Sequence, residues 1–340
     1  MPKLFRIIVL LFIFFLASWI YSCYDSAYHE RQGEEIVFTV KNGEGVSQVA
    51  IKLFQNGIVD SQFCFKYYVW RNDLSAKIQA GKYILHKESS AQNVVSTLVS
   101  GEVISRERDV KIIEGLRDDE IGQYLENQSV GTKNEFLKVV AVPLKSWSLP
   151  FSPPDFLTLA DQDKGLNGFL FGDTYRIYDD AGVNDVLYKM LSNLNNKLSQ
   201  SDVEAIKNND YSLNEIMVLA SIIEKEVRGD NDRRVVSGIL RKRLDIGMRL
   251  EVDSTINYIT KKKNPQSTYS DLQIESPYNT YKNYGLPPGP ICNPSLGSIL
   301  AAVYPKESSY LFYLNRLDTG ETIFSHDFNE HIRNKNKYLR

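Results

Sequence analysis

Two glutamates, Glu224 and Glu226, close an apolar phrase that reads Ser212-Leu-Asn-Glu-Ile-Met-Val-Leu-Ala-Ser-Ile-Ile-Glu-Lys-Glu-Val-Arg-Gly229. Ser212 with Glu215 three residues on is a capping box, and Gly229 just past Arg228 suits a left-handed helix stop. Between these signals Ile216, Leu219, Ala220, Ile223 and Val227 share one helix face. At ~100° per residue, Glu224 falls on one edge of that face, Glu226 on the other, and Lys225 points to solvent. A carboxylic acid beside apolar side chains can keep its proton to higher pH and donate it near neutrality. The helix pattern by itself favours a surface pair between Glu224 and Arg228, worth about 0.2–0.5 kcal/mol. It does not separate Glu224 from Glu226.

Other groups with chemistry follow that helix. Leu250-Glu251-Val252-Asp253-Ser254-Thr255 brings two more carboxylates. Ser276-Pro277-Tyr278-Asn279-Thr280-Tyr281 and Gly285-Leu286-Pro287-Pro288-Gly289-Pro290-Ile291-Cys292-Asn293-Pro294 cannot form long regular elements, because proline removes donors and fixes φ. Rigid loops of this kind are favoured places for binding residues. Tyr278, Tyr281 and Tyr284 offer flat faces on which sugar rings can stack, although for the loop alone buried aromatic packing is the more ordinary use.

Several classes are excluded by composition. The net charge of -2 gives no general attraction to nucleic acid, and no dense basic block suggests a groove binder. Cys23, Cys64 and Cys292 are scattered without metal spacing, and the four histidines form no ligand set. No metal and no cofactor are expected. Cys64 and Cys292 fall in different proposed domains and are not expected to pair.

The elements that must position these groups are read in chain order. Residues 1–6 carry Lys3 and Arg6, and residues 7–24 then run without a charge. That run is long enough to cross a bilayer core, and the flanking charges place the N-terminus inside. No small-x-small cleavage site follows, so an uncleaved anchor is expected rather than a signal peptide. Ile36 to Val40 alternate as a strand, Gly43 turns the chain, and Val49, Ala50 and Leu53 mark a helix. The phrase returns as Ile112-x-x-Gly115-x5-Ile121-Gly122-x2-Leu125, again strand, glycine turn and short helix. Phe63 to Trp70 reads as an aromatic helix, Gly81 to Leu85 as a strand, and Val94 to Leu98 as a helix ended by Gly101. Such units fit small α+β modules that bind glycan chains, and their spacing fits generic strand-turn-helix units equally well. Ser148 to Pro154 reads as a loop, Gly168 to Tyr175 as an apolar strand with a turn, and Asp185 to Leu198 as a helix. Leu296 to Val303 is a helix, Tyr310 to Asn315 and Thr322 to Ser325 are strands, and the tail from His326 is helical.

At these residues the sequence resembles the YceG-like family of endolytic murein transglycosylases, from the anchor to the C-terminus. The resemblance is carried by Leu219-Ala-Ser-Ile-Ile-Glu-Lys-Glu226, Arg243-Leu244 with Met248-Arg249-Leu250, Asp253-Ser-Thr255, Tyr278-Asn-Thr-Tyr281, and Gly285 to Ile291 with Asn293-Pro294. It implies a catalytic role for the first glutamate of the triplet, Glu224. It implies an α+β chain: a transmembrane helix at 7–24, a LysM-like module over 33–104 and a larger mixed α+β catalytic domain over 105–340. Placement in the inner membrane with the bulk in the periplasm follows, as does nascent peptidoglycan as substrate near the elongation synthases. The bond cut would be that between N-acetylmuramic acid and N-acetylglucosamine, leaving 1,6-anhydro ends. Asp253, Thr255, Tyr278, Asn279, Thr280, Tyr281, Pro288 and Gly289 are the candidates for holding the strand. The sequence departs from the family pattern at Asn167 and Gly172, where glutamate and proline are usual, at Ser254, where proline is frequent, and at Thr322, where histidine is common. Two rival readings are an inactive anchored glycan-binding protein and a hydrolase that adds Asp253 or Glu251 as a second carboxylate.

Overall fold

The computed structural model describes residues 33–101, 107–262, 267–316 and 318–339, with Leu11, Ile13, Phe14, Ser18, Tyr21, Cys23, Tyr24 and Tyr28 before them. Among the described residues no helix is long and apolar enough to cross a membrane. The expected anchor at 7–24 therefore gains no support from the structure, and most of it lies outside the described residues. The chain divides into two compact units, Met1–Arg108 with Tyr178–Asp180, and Asp109–Ile177 with Ala181–Arg340.

In the first unit β1 (Glu35–Val40) is followed by α1 (Val46–Gln55), α2 (Gln62–Arg71), β2 (Gly81–His86) and α3 (Ala91–Ser100). The strands pair antiparallel with Phe38 opposite Tyr83. Their alternating inward residues Phe38, Val40, Tyr83 and Leu85 meet Val49, Leu53, Phe65 and Leu98 of the helices in one core. Alternation of period two and helical spacing of three to four thus close on the same apolar centre. Ser61 and Ser90 cap α2 and α3 through the backbone N–H groups of Cys64 and Asn93. A disulfide joins Cys23 to Cys64 at the start of α2, and Cys292 is a free, buried thiol.

Most of β3 (Glu107–Ile112) and most of its partner β4 (Asp173–Tyr178) belong to the second unit. Helices α4 (Asp118–Asn127), α5 (Lys133–Val140), α6 (Val183–Lys197) and α7 (Gln200–Lys207) lead into α8 (Leu213–Glu226). Then come α9 (Asp230–Asp245), α10 (Asp253–Thr260), α11 (Tyr269–Leu272) and α12 (Leu296–Val303). The hairpin of β5 (Phe312–Asn315) and β6 (Thr322–Ser325) and the helix α13 (Phe328–Tyr338) finish the chain. The central helix is α8, with Ile216, Leu219, Ala220 and Ile223 buried at 0% exposure in the main core. Its capping box forms as the sequence predicts: Ser212 N–H donates to Glu215 Oε2 at 2.8 Å, and Glu215 N–H to Ser212 Oγ at 3.4 Å.

Two expectations change here. The helix ends at Glu226, Val227 is extended, and Gly229 at φ -83° opens α9 instead of closing α8. Val227 is buried and its N–H still reaches Ile223 O, so the chain leaves the helix without a left-handed residue. The strand expected from Gly168 begins only at Asp173, because Leu166 to Gly172 is held by turns and by Asn293.

Candidate active site

The glycine turn after β3 and the end of α8 meet in the second unit. Gly115 adopts φ +77°, a region that glycine enters without cost, and its N–H donates to Asn293 O at 2.7 Å. Asn293 in turn accepts from Leu170 N–H, and donates to Leu116 O and to Asp118 Oδ1. Ser221 on α8 completes the clamp: its Oγ accepts from Ile291 N–H, and its carbonyl accepts from the Cys292 thiol. The proline-rich loop is thereby fixed to both the glycine turn and the central helix. Sequence reasoning gave Asn293 no role beyond its motif, yet it ties three segments together.

The two glutamates have different surroundings. Glu224 turns to the N-terminus of α12, where its Oε2 accepts from Ser295 N–H at 3.1 Å and from Ser298 Oγ at 2.6 Å. The Ser295 hydroxyl donates to the same oxygen. Arg233 Nη2 lies 3.8 Å away, and the side chain is only 12% exposed. A carboxylate oxygen at the positive end of a helix, accepting from three donors, stabilises that helix start. It also presses on its neighbour: Glu114 is held above the usual carboxylate range, first by burial and then by the charge of Glu224.

Glu226 faces the other way, into a cavity of about 880 Å³. Its Oε2 accepts from Tyr313 OH at 3.1 Å, and its main-chain carbonyl is held by Asn315. Burial pushes its carboxyl above the ordinary range; polar contacts from Ser254 and Tyr313 oppose the rise, and the nearby charge of Asp253 adds to it. Burial outweighs hydrogen bonding, which is the pattern that lets a glutamic acid hold a proton for donation. The opposite edges of α8 thus give the two glutamates different surroundings, and Glu226 is the one that lines the cavity. Glu224, to which the resemblance gives the catalytic role, holds the N-terminus of α12 through one carboxylate oxygen, Oε2.

The other candidates divide into three groups. Asp253 and Tyr281 line the same cavity as Glu226, with Tyr281 OH donating to Asp253 Oδ1 at 3.0 Å. Tyr278 lines a second cavity of about 370 Å³ and packs against Tyr258, with ring centroids 4.7 Å apart. Tyr258, Arg117 and Ile291 border both spaces. Thr255, Asn279 and Thr280 are buried, and their polar atoms are engaged inside the protein. Asn279 donates to Leu272 O and Ile274 O and accepts from Tyr281 N–H, while the hydroxyls of Thr255 and Thr280 lie 2.9 Å apart under Val252. The hydrogen bonds of these three shape the loops that carry Tyr278 and Tyr281. Pro288 and Gly289 lie outside both cavities, and Gly289 packs under the Tyr278 hydroxyl.

The departures from the family pattern have local causes. Asn167 donates to Asp118 Oδ2, where a second carboxylate would meet like charge. A Cβ on Gly172 would stand 2.6 Å from the Glu114 nitrogen, too close for any side chain. Thr322 Oγ1 donates to Asn315 Oδ1 at 3.1 Å, and Asn315 holds the Glu226 carbonyl, so this position supports the candidate acid from beneath. Ser254 is buried beside Glu226. Among the described residues no cluster of histidine, cysteine and carboxylate side chains could hold a metal ion.

Fold and site together define an α+β protein in which a glutamate whose carboxyl is raised by burial lines a large cavity beside polar and aromatic side chains. The profile of the YceG-like family matches residues 38–337. An endolytic murein transglycosylase of Bacillus subtilis is 31% identical over 305 residues, which is 88% of this chain and 84% of that protein. Another, from Streptococcus pneumoniae, is 28% identical over 315 residues, and the match spans 57% of its length. The crystal structure of a YceG-like protein from Listeria monocytogenes has a TM-score of 0.58 at 28% identity, covering 89% of this chain and 99% of that one. The chain belongs to the YceG-like family.

Proposed function

We propose that this protein is an endolytic murein transglycosylase, a lyase that cuts inside peptidoglycan strands with Glu226 as its acid. The observation that carries the reading is the position of Glu226: inside the large cavity, with its carboxyl raised by burial. The names of its relatives in Bacillus and Streptococcus support the same substrate.

One carboxyl group suffices for this reaction. Glu226 protonates the oxygen that bridges N-acetylmuramic acid to the next sugar, and the bond from that oxygen to the anomeric carbon breaks. The 6-hydroxyl of the same muramic residue attacks the anomeric carbon, and its proton passes to the carboxylate of Glu226. A 1,6-anhydro ring forms, no water is consumed, and the acid is regenerated. Because the nucleophile belongs to the substrate, the step has the advantage of an intramolecular reaction. Asp253, held by Tyr281 in the same cavity, favours one alternative. A hydrolase would use it as second carboxylate to activate water.

The rest of the reading concerns place. The apolar run 7–24 serves as an inner-membrane anchor, the bulk of the chain lies in the periplasm, and the module over 33–104 is LysM-like and grips glycan near the elongation synthases. The strand-helix-helix-strand order of the first unit agrees with such a module. The Cys23–Cys64 disulfide agrees with an oxidising compartment, since such bonds are rare in reducing cytosol. Incubating the purified protein with isolated strands and weighing the products tests the function. Shortened strands with anhydro ends support it, and an unchanged strand-length distribution overturns it.

A further inference from the structure

Three basic side chains line the main cavity around Phe312: Arg243 from α9, and His331 and Lys335 one turn apart on α13. Arg243 is only 6% exposed. Its Nε donates to Leu311 O at 2.8 Å, and its Nη1 to Leu250 O at 2.8 Å and Arg249 O at 3.3 Å. All three acceptors are neutral carbonyls. Its guanidinium also lies over the Phe312 ring, 4.7 Å from the centroid, and the same ring stacks on His331 at 5.4 Å. Among the described residues the Nδ1 of His331 is buried without a hydrogen-bond partner.

The other cations of the cavity are differently placed. Arg117 is paired with Asp119 and Glu120, Lys262 with Asp271, and Lys225 stands exposed. Arg243, His331 and Lys335 form no ion pair with a carboxylate among the described residues. The carboxylate that most influences Arg243 is Glu251, which is exposed and makes no ion pair with it. The mutual repulsion is visible in His331, which is held below its ordinary pKa by burial and then by Lys335 and Arg243. A buried cation without a counter-charge is costly, and Arg243 with Lys335 beside it at a cavity wall is relieved by an anion from outside, to which His331 can add a ring N–H.

We propose that Arg243, His331 and Lys335 form a carboxylate-binding subsite of the cavity, which takes an acidic substituent of the glycan strand. The inference rests on the strand-cleaving reading and deepens it. Muramic residues carry such groups in two forms: the lactyl carboxylate of a strand stripped of its peptides, and the free carboxylates of an attached stem peptide. Chitin oligosaccharides, built of N-acetylglucosamine alone, carry neither. The subsite therefore gives the cavity a preference for muramic-acid polymers over neutral ones, using groups other than the candidate acid.

Binding, measured apart from cleavage, tests this. The full chain is titrated calorimetrically with peptide-bearing strands, with amidase-stripped strands, and with chitin oligosaccharides of the same length. The Lys335→Glu and Arg243→Gln substitutions are compared with the unsubstituted protein. Lys335→Glu places a resident carboxylate on an exposed helix position, so it folds even where Arg243→Gln does not. A charge-assisted contact is worth roughly tenfold or more in affinity. Acidic strands should therefore bind about tenfold more weakly to either variant, with chitin binding unchanged. Whichever acidic strand shows the loss identifies the source of the carboxylate. Equal loss for chitin, or no loss for any acidic strand with Lys335→Glu, overturns the subsite. No binding of any strand by the unsubstituted protein overturns the parent reading as well.

Discussion

Exchanging each of the two glutamates of α8 for glutamine should produce opposite defects. In Glu224→Gln three donors lose a charged acceptor: Ser295 N–H, Ser295 Oγ and Ser298 Oγ. Hydrogen bonds to a charged group contribute about 1.5–3 kcal/mol and neutral ones about 0.5–1.5, so each contact weakens by about 1 kcal/mol. Losing a carboxylate at a helix N-terminus adds about 0.3–1 kcal/mol. The glutamine carbonyl can still accept some of these bonds, which brings the sum to about 2–4 kcal/mol of lost stability. At 12% exposure solvent screening removes little of it. Glu226→Gln keeps shape and volume and removes the acid, so cleavage should fall by about 10²–10⁴-fold. Its effect on stability depends on pH. A carboxyl raised in the folded state stabilises the fold at low pH and loses that contribution as pH rises through the folded value. Glu226→Gln should therefore become the relatively more stable protein as pH rises. Release of soluble fragments from purified strands, alongside thermal unfolding of the same samples, separates the effects. If Glu224→Gln melts normally but is as inactive as Glu226→Gln, or if Glu226→Gln cuts strands normally, the division of labour argued here is wrong.

Other outcomes follow from the same contacts. Tyr313→Phe removes a donor that holds Glu226 down, so the basic limb of the kcat/KM profile should move to higher pH; a move to lower pH would contradict the role of that hydroxyl. Reducing Cys23–Cys64, whose separation is 41 residues, should cost about 4 kcal/mol in the chain-entropy account. Intact-mass analysis after thiol labelling of the unfolded, non-reduced protein should show one labelled cysteine, Cys292, and labelling at all three would refute the bridge. A reporter fused after Arg340 should be active only in an exported form, and activity in the cytoplasm would refute the anchor's orientation.

The sequence made the periodic parts legible. The capping box at Ser212 and Glu215, the repeated strand-glycine-helix phrase at Gly43 and Gly115, and the last hairpin all appear where local signals placed them. What it could not show was decided by distant contacts. Glu224 and Glu226 are indistinguishable on a helical wheel, since each borders the same apolar face. Only the approach of Ser295 and Ser298 to one and of Tyr313 to the other separates them. The internal hydrogen bonds of Thr255, Asn279 and Thr280 were hidden for a related reason: they join separate segments of the chain, where buried backbone groups require partners. The Cys23–Cys64 bridge was equally hidden, because spacing along the chain does not reveal which thiols meet. Gly229 was misread because glycine serves both as a helix stop and as a helix start.

The central claim is that one acid, Glu226, cuts the strand with the substrate's own hydroxyl as nucleophile. Running the reaction in water enriched in heavy oxygen tests it most directly, because the two mechanisms differ in whether water enters the product. The account predicts 1,6-anhydromuramic ends lighter by one water than hydrolysis products, with no heavy oxygen at the cut. Reducing ends that carry the heavy label would contradict it and would identify Asp253 as the partner carboxylate to examine.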